Sequence, residues 1–237
     1  GLVKGSPGNR RRFIDSAISQ LYPAYLSALL EYNKIIKQKH SLLKSLKKGN
    51  GDDTTLEIWN GELSRVMIKI MEMRSQFVTE INGWAKLIQK DISKEELELV
   101  YAPNIKLSEV SQEGIFNFLM SKKAREIEMG AAMYGTQRDD IDIFINGKDA
   151  KLFASQGQQR TAALSMKIAQ SEYINDKKGE YPVLLLDDIM SELDVSRRMY
   201  LSERIKDKQV LITSTDTDIK EESDTTKLFR IRNGEVM

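Results

Sequence analysis

Two acidic residues, Asp187 and Asp188, close a continuous apolar run, "YPVLLLDD". Such a run reads as a strand of a buried, usually parallel, sheet. Ligands bind at the carboxyl edge of such sheets. One carboxylate at that edge can hold a divalent cation, and its neighbour can position or deprotonate a water. The plainer reading is a strand that ends in two solvated acids. Upstream stands "ASQGQQRTAAL", where Ser155, Gln156, Gly157, Gln158, Gln159 and Arg160 precede or open a helix. Helix amino ends carry unpaired N–H groups and partial positive charge, so they attract phosphate. Gly157 lets the backbone approach closely, and the glutamines and Arg160 add donors. The plainer reading here is an ordinary helix start capped by Ser155. Downstream, "LLLDDIMSELD" places Ser191 and Asp194 in a Ser-x-x-Asp turn.

Composition narrows the chemistry. The 237 residues contain no Cys and one His, His40. Disulfides, thiolate metal sites, His-rich metal sites and His-based triads are excluded. Lys+Arg number 36 against 35 Asp+Glu, a net charge of +1, so any nucleic-acid contact must come from local basic patches. The length suits one large domain or two modest ones. No stretch reaches the eighteen or more apolar residues of a membrane span. No signal-peptide pattern appears, and a cytoplasmic location is expected.

The elements that position these residues follow from periodicity. Apolar pairs from Phe13/Ile14 to Ile35/Ile36 lay one stripe along a helix, with a kink or break expected at Pro23. "KKGNGDD" is turn chemistry. Thr54 and Glu57 form a T-x-x-E capping box for a second helix, striped by Leu56, Leu63, Val66, Met67, Ile70, Phe77, Ile81, Trp84 and Ile88. Together these predict an antiparallel helical hairpin, too irregular for a long heptad coiled coil. "ELELVY" alternates like a strand, and residues 111–130 read as helix. "IDIFINGKDAKLF" puts Ile141, Ile143 and Ile145 on one strand face before the hairpin signal Asn146-Gly147. A helix is expected from about Gln158 to Asn175, another around 195–206, and a second buried strand at "QVLITS". A second Asn-Gly turn stands at 233–234. The fold class expected is α/β, with an inserted helical arm. Trp59 and Trp84, at helical spacing among apolar neighbours, are read as core.

The order of signature loop, helix, acidic strand and S-x-x-D turn is that of an ABC-type P-loop ATPase head. Here the sequence resembles the RecF family of bacterial recombination-repair ATPases, related to SMC-type heads. The matching stretches are "GLVKGSPGNRRRFID", "GTQRDDIDIFINGKDAKLFASQGQQRT", "YPVLLLDDIMSELD", "QVLITSTD" and "FRIRNGEVM".

The resemblance implies roles, position by position. Asp187 would be the Walker B ligand of Mg2+ and Asp188 the hydrolytic acid, where many ABC proteins carry Glu. Residues 155–160 would be the signature loop, touching the γ-phosphate of ATP bound by the opposite subunit. Ser191 and Asp194 would lie in the D-loop at the dimer seam. The implied function is an ATP-dependent dimerising clamp on DNA at single-strand/double-strand junctions. It would help load RecA with RecO- and RecR-type mediators in DNA replication, repair and the SOS response. A link at 1–12, a helical arm over 13–130 and the carboxyl-terminal half of the head over 131–237 are expected.

The chain departs from the family at three points. It holds no G-x-x-x-x-G-K-[ST], so the Walker A loop is expected upstream of Gly1. Slow ATPase activity is expected of the complete protein and none of these residues alone. Ser214 or Thr215 stands where the superfamily often has a switch His. Thr136 and Gln137 replace the usual Pro and His in the loop at Gly135–Asp140, whose role is left open: Arg138 is either structural, paired with Asp139 or Asp140, or functional. Basic clusters at Arg10, Arg11 and Arg12, at Lys34, Lys37 and Lys39, and at Lys44, Lys47 and Lys48 are candidate DNA contacts or solvated helix faces. The rival functions are a non-enzymatic mediator-binding scaffold and another SMC-like head.

Overall fold

Prolines set the first two helices. Pro7 opens α1 (Pro7–Leu21) and Pro23 opens α2 (Pro23–Lys47), each at a first-turn position where a missing N–H is harmless. The residue before a proline is pushed out of the helical region, and Tyr22 adopts φ −127°, ψ 96°. The break expected at Pro23 therefore falls at Tyr22. The structure, a computed structural model, describes residues 1–50, 53–106, 110–188, 193–215 and 226–237. It divides into two compact units, Gly1–Pro182 and Val183–Met237.

The first unit is built on α3 (Asp53–Ser93). At about 1.5 Å per residue its 41 residues run roughly 60 Å. It packs against α1, α2, the short α4 (Gln112–Ser121), and α7 (Gln156–Lys178). Phe77 at its middle meets Phe13 of α1 edge-on at 6.3 Å and Tyr173 of α7 at 5.0 Å. Leu56, Leu63, Val66, Met67, Ile70, Ile81 and Ile88 are buried as their spacing predicts. Trp84, at the margin of that stripe, keeps 37% of its surface exposed, and Trp59 is half-buried, so the expectation of core packing fails for Trp84. Thr54 lies in the first turn of α3, Glu57 pairs with Lys123 at 3.1 Å, and the residues just before the helix lie outside the described ones.

A three-stranded antiparallel sheet completes this unit: β1 (Leu97–Ala102), β2 (Asp140–Ile145) and β3 (Lys148–Asp149), in that order. Leu99 faces Ile143 in register, and Ile141, Ile143 and Ile145 are buried on one face. The turn Asn146-Gly147 has φ 49° and 73°. Type I′ hairpins demand positive φ at both positions, which Asn and Gly supply. The helix expected over 111–130 breaks at Lys122 into α4 and α5 (Lys123–Met129). The short α6 (Ala150–Phe153) leads into α7.

The loop at Gly135–Asp140 is locked by groups far away in sequence. Arg74, buried on α3, donates to the Thr136 carbonyl (2.7 Å) and Asp139 (2.8 Å), and pairs with Asp15 of α1 (2.9 Å). Tyr101 and the Asn104 N–H also donate to Asp139, at 2.5 and 2.9 Å. Burial opposes the charge on Arg74, but Tyr25, Asp15 and Asp139 outweigh it and hold the guanidinium firmly protonated. Asp140 takes both Arg10 (2.6 and 2.9 Å) and Lys151 (2.9 Å). Arg138 thus pairs with neither aspartate, which removes the structural pairing that the sequence left open. Both carboxylates are satisfied by Arg74 and Arg10, which approach from neighbouring helices.

The second unit holds β4 (Leu184–Asp187) and β5 (Val210–Thr213), paired in parallel, α8 (Val195–Ile205) between them in sequence, and the hairpin β6–β7 (Ile231–Arg232, Glu235–Val236). The parallel pairing is as expected. The burial is not: Leu185 is 73% exposed and Leu211 58%. Along β4 Leu184 and Leu186 are half-buried while Leu185 and Asp187 are exposed, so one face of the strand lacks the cover that a buried parallel sheet receives.

Candidate functional site

At the carboxyl edge of β4 the chain turns sharply. Asp188 takes φ 47°, a left-handed conformation that Asp tolerates better than most residues. Thr213, directly opposite Asp187 in register, fixes this turn. Its carbonyl and hydroxyl accept from the Asp188 N–H at 3.1 and 3.0 Å. Its hydroxyl donates to Asp187 Oδ1 at 2.5 Å. One threonine therefore holds the Asp187 carboxylate and the Asp188 backbone N–H. It was not singled out from sequence, where Ser214 and Thr215 drew attention; those two follow the end of β5. Its place at the polar end of "VLIT" marks where the strand stops, but only the register with Asp187 gives it a role.

Both carboxylates are exposed. Among the described residues no group of three or more His, Cys, Asp or Glu could hold a metal. A single carboxylate suits Mg2+, which keeps waters and substrate phosphates as its other ligands. Asp194 caps α8: its Oδ1 accepts from the Arg197 N–H at 3.0 Å and Oδ2 meets the Arg197 guanidinium at 2.9 Å. Ser191 lies outside the described residues.

In the other unit the start of α7 is a complete capping box. Ser155 Oγ accepts from the Gln158 N–H at 3.2 Å, and Gln158 Oε1 accepts from the Ser155 N–H at 2.9 Å. The cap that sequence offered as the plain alternative is thus present. The Gln158 amide also donates to Glu95 at 2.6 Å, and Ser165 donates to Gln89 at 2.8 Å. These bonds moor α7 to the end of α3 and the entry to β1. Gln159 returns to the Ala154 carbonyl at 2.8 Å. Ser155, Gln156 and Arg160 are exposed, and Gly157 is half-buried. Just before them, Leu152 and Phe153 are each 70% exposed.

The basic candidates separate sharply. Arg10 is 2% exposed and donates to Asp140 and to the Val3 and Gly5 carbonyls. Lys39 is fully buried 2.6 Å from Glu126. Neither reaches solvent, so both leave the set of DNA contacts: an ion pair within the fold already consumes each charge. Arg11 is half-buried and donates to the Asp139 carbonyl at 2.8 Å. Arg12, Lys34 and Lys37 are exposed. Among the described residues no helix is long and apolar enough to cross a membrane.

Comparison with known proteins gives a consistent result. No protein-family model matches the chain. The DNA replication and repair protein RecF of Staphylococcus carnosus is 43% identical over 250 residues, covering 100% of this chain and 67% of that protein. RecF of Staphylococcus aureus (strain JH9) is 42% identical over 247 residues, with the same coverage. Among solved structures, one described as the recombination mediator protein RecF-ATP in the RecFOR pathway superposes with a TM-score of 0.89 at 31% identity. It covers 100% of this chain and 64% of its own. A companion described as RecF-ATPrS superposes with the same TM-score and identity. The chain therefore spans about two thirds of the length of these relatives.

Proposed function

Since the chain belongs to the RecF family and has the α/β fold of an ABC-type ATPase head with inserted helices, we propose that it contributes to an ATP-gated DNA clamp in recombinational repair. The observation that carries this reading is the pair Asp187/Asp188 at the carboxyl edge of a parallel strand pair, with Thr213 bonded to the Asp187 carboxylate and the Asp188 N–H. Asp187 would hold Mg2+, which supplies charge neutralisation on a nucleotide's phosphates when bound. Asp188, the next residue, would orient the attacking water.

The exposed start of α7 would meet the nucleotide held by a second copy. Its capping box presents N–H groups and a partial positive charge at a fixed place. The exposed Leu152 and Phe153 beside it support a seam that becomes buried when two copies close. The lobes implied are a helical arm over 13–130 and half of an ATPase head over 131–237. DNA, RecO- and RecR-type mediators and a cytoplasmic setting complete the proposal; the naming of a relative as a mediator in the RecFOR pathway supports it. These 237 residues contain no G-x-x-x-x-G-K-[ST], so by themselves they should not bind ATP tightly.

The test uses a protein of the relatives' full length that carries this chain. Light scattering with ATP and Mg2+ should show a doubled mass, lost in Ser155→Arg while nucleotide binding by the monomer persists. ATP turnover should vanish in Asp188→Asn. A mass that never changes, with ATP bound and DNA present, would favour a scaffold instead.

A further inference from the structure

A cavity of about 450 Å³ opens beside α2, lined by Ile36, Lys37, His40, Ala132, Gln137 and Arg138. That volume lies in the range of ligand-sized clefts, roughly 300–1,000 Å³. Its lining holds three basic side chains and no carboxylate. The acids nearest in sequence are already matched within the fold. Asp139 is held by Arg74, Tyr101 and Asn104, Glu126 by Lys39, and Glu31 by Arg65. No hydrogen bond or ion pair among the described residues engages the Lys37 ammonium or the Arg138 guanidinium, and both are exposed.

The loop that presents Arg138 is rigid. Tyr32 hydrogen-bonds Gln137, and burial pushes the Tyr32 phenol up to about 12, so it remains a neutral donor. Arg74 fixes Thr136 and Asp139 on either side. Arg138 is therefore held at the cavity by its neighbours, with its own charge unspent. The pocket also continues a stripe. From Tyr32 to Gly51 the chain carries no acid. Lys34, Lys37 and Lys44 of α2 and its C-cap residue Lys48 are exposed and fall on one side at helical spacing, with His40 among them. Lys34 to Lys48 spans about 21 Å of helix, close to six nucleotides of one duplex strand.

We propose that the Lys37–His40–Arg138 pocket is a phosphodiester-binding subsite, and that the α2 stripe leading from it tracks a DNA backbone. This rests on the DNA-binding reading above and gives it a place. Lys and Arg contact phosphate without reading sequence, so the site would anchor DNA of any sequence. Arg138, on a rigid loop, would fix the register, while the lysines would follow the strand.

The test is fluorescence anisotropy on a protein of the relatives' full length carrying this chain. The probe is a labelled DNA duplex with a single-stranded overhang, titrated between 50 and 200 mM salt. Lys37→Gln/Arg138→Gln should weaken binding at least tenfold at the lower salt. It should also flatten the log K against log salt slope by about 2, near 0.9 for each lost phosphate contact. Lys86→Gln/Lys90→Gln, which removes two exposed charges from α3, should change neither. Equal losses in both pairs would mean that only net charge matters and would overturn the site. Unchanged binding in Lys37→Gln/Arg138→Gln beside a DNA-binding parent would overturn it too. So would unchanged DNA binding with loss of a mediator protein, which would assign the pocket to an acidic protein partner. A parent that binds no DNA would overturn both this site and the DNA reading on which it rests. Both substituted side chains are exposed, so melting temperatures should stay within a degree or two of the parent and keep the comparison clean.

Discussion

The two units of the molecule solve opposite problems. In Gly1–Pro182 the candidate helix start is mounted on a densely packed scaffold, with α7 running along α3 and the buried Arg74 network beneath the loop that precedes β2. In Val183–Met237 the acid pair sits at the end of a strand with one strand neighbour and exposed leucines on it. The first unit fixes its groups by burial. In the second, Thr213 donates to the Asp187 carboxylate and accepts from the Asp188 N–H.

That contrast can be broken or sharpened by substitution. The largest effect is expected for Arg74→Ala, which leaves Asp139 and Asp15 without their shared cation. Urea unfolding should show a loss of about 3–5 kcal/mol; a loss under about 1 kcal/mol would mean that the buried network does not hold the first unit. Next, equivalent truncations should diverge between units. Ile143→Ala, at a fully buried position, should cost about 2–4 kcal/mol. Leu185→Ala, on the exposed strand, should cost about 0.5 kcal/mol or less. Equal losses would end the comparison. Smaller again, Ser155→Ala removes the capping box and should cost about 1 kcal/mol, read from the same unfolding curves.

The smallest effect is a pH dependence within the first unit. Burial works against ionisation of Asp140, but hydrogen bonds from Arg10 and Lys151 outweigh it and hold its carboxyl below the ordinary range. A group with a depressed folded value stabilises above its unfolded value, about 3.9, and that stability is lost as pH falls through the lower folded value. Urea midpoints of the parent should therefore exceed those of Asp140→Asn at pH 5, and the gap should narrow by pH 3. A gap that stays constant would show that the Arg10–Asp140 pair is neutral to stability.

Much of the fold was legible because local chemistry and tertiary structure agree. The break at Pro23, both Asn-Gly hairpins, the buried face of Ile141, Ile143 and Ile145, and the parallel pairing of the two apolar strands all follow from periods and turn residues. The failures share a cause. Arg10 and Lys39 read as solvated basic clusters, because nothing near them in sequence announces Asp140 or Glu126. Arg138 was open to pairing with adjacent aspartates, while their true partners came from α1 and α3. Thr213 was hidden because its importance depends on register with Asp187, and register is a property of the pair of strands.

The sequence by itself determined the α/β order of elements, the acid pair, the capped helix start and the family they belong to, since each depends on residues within a few positions of one another. Only the tertiary structure decided which charges are spent inside the fold and which remain available. Ion pairing is set by distance in space, and a lysine at the helix surface and one facing a buried glutamate look alike until the helices are packed.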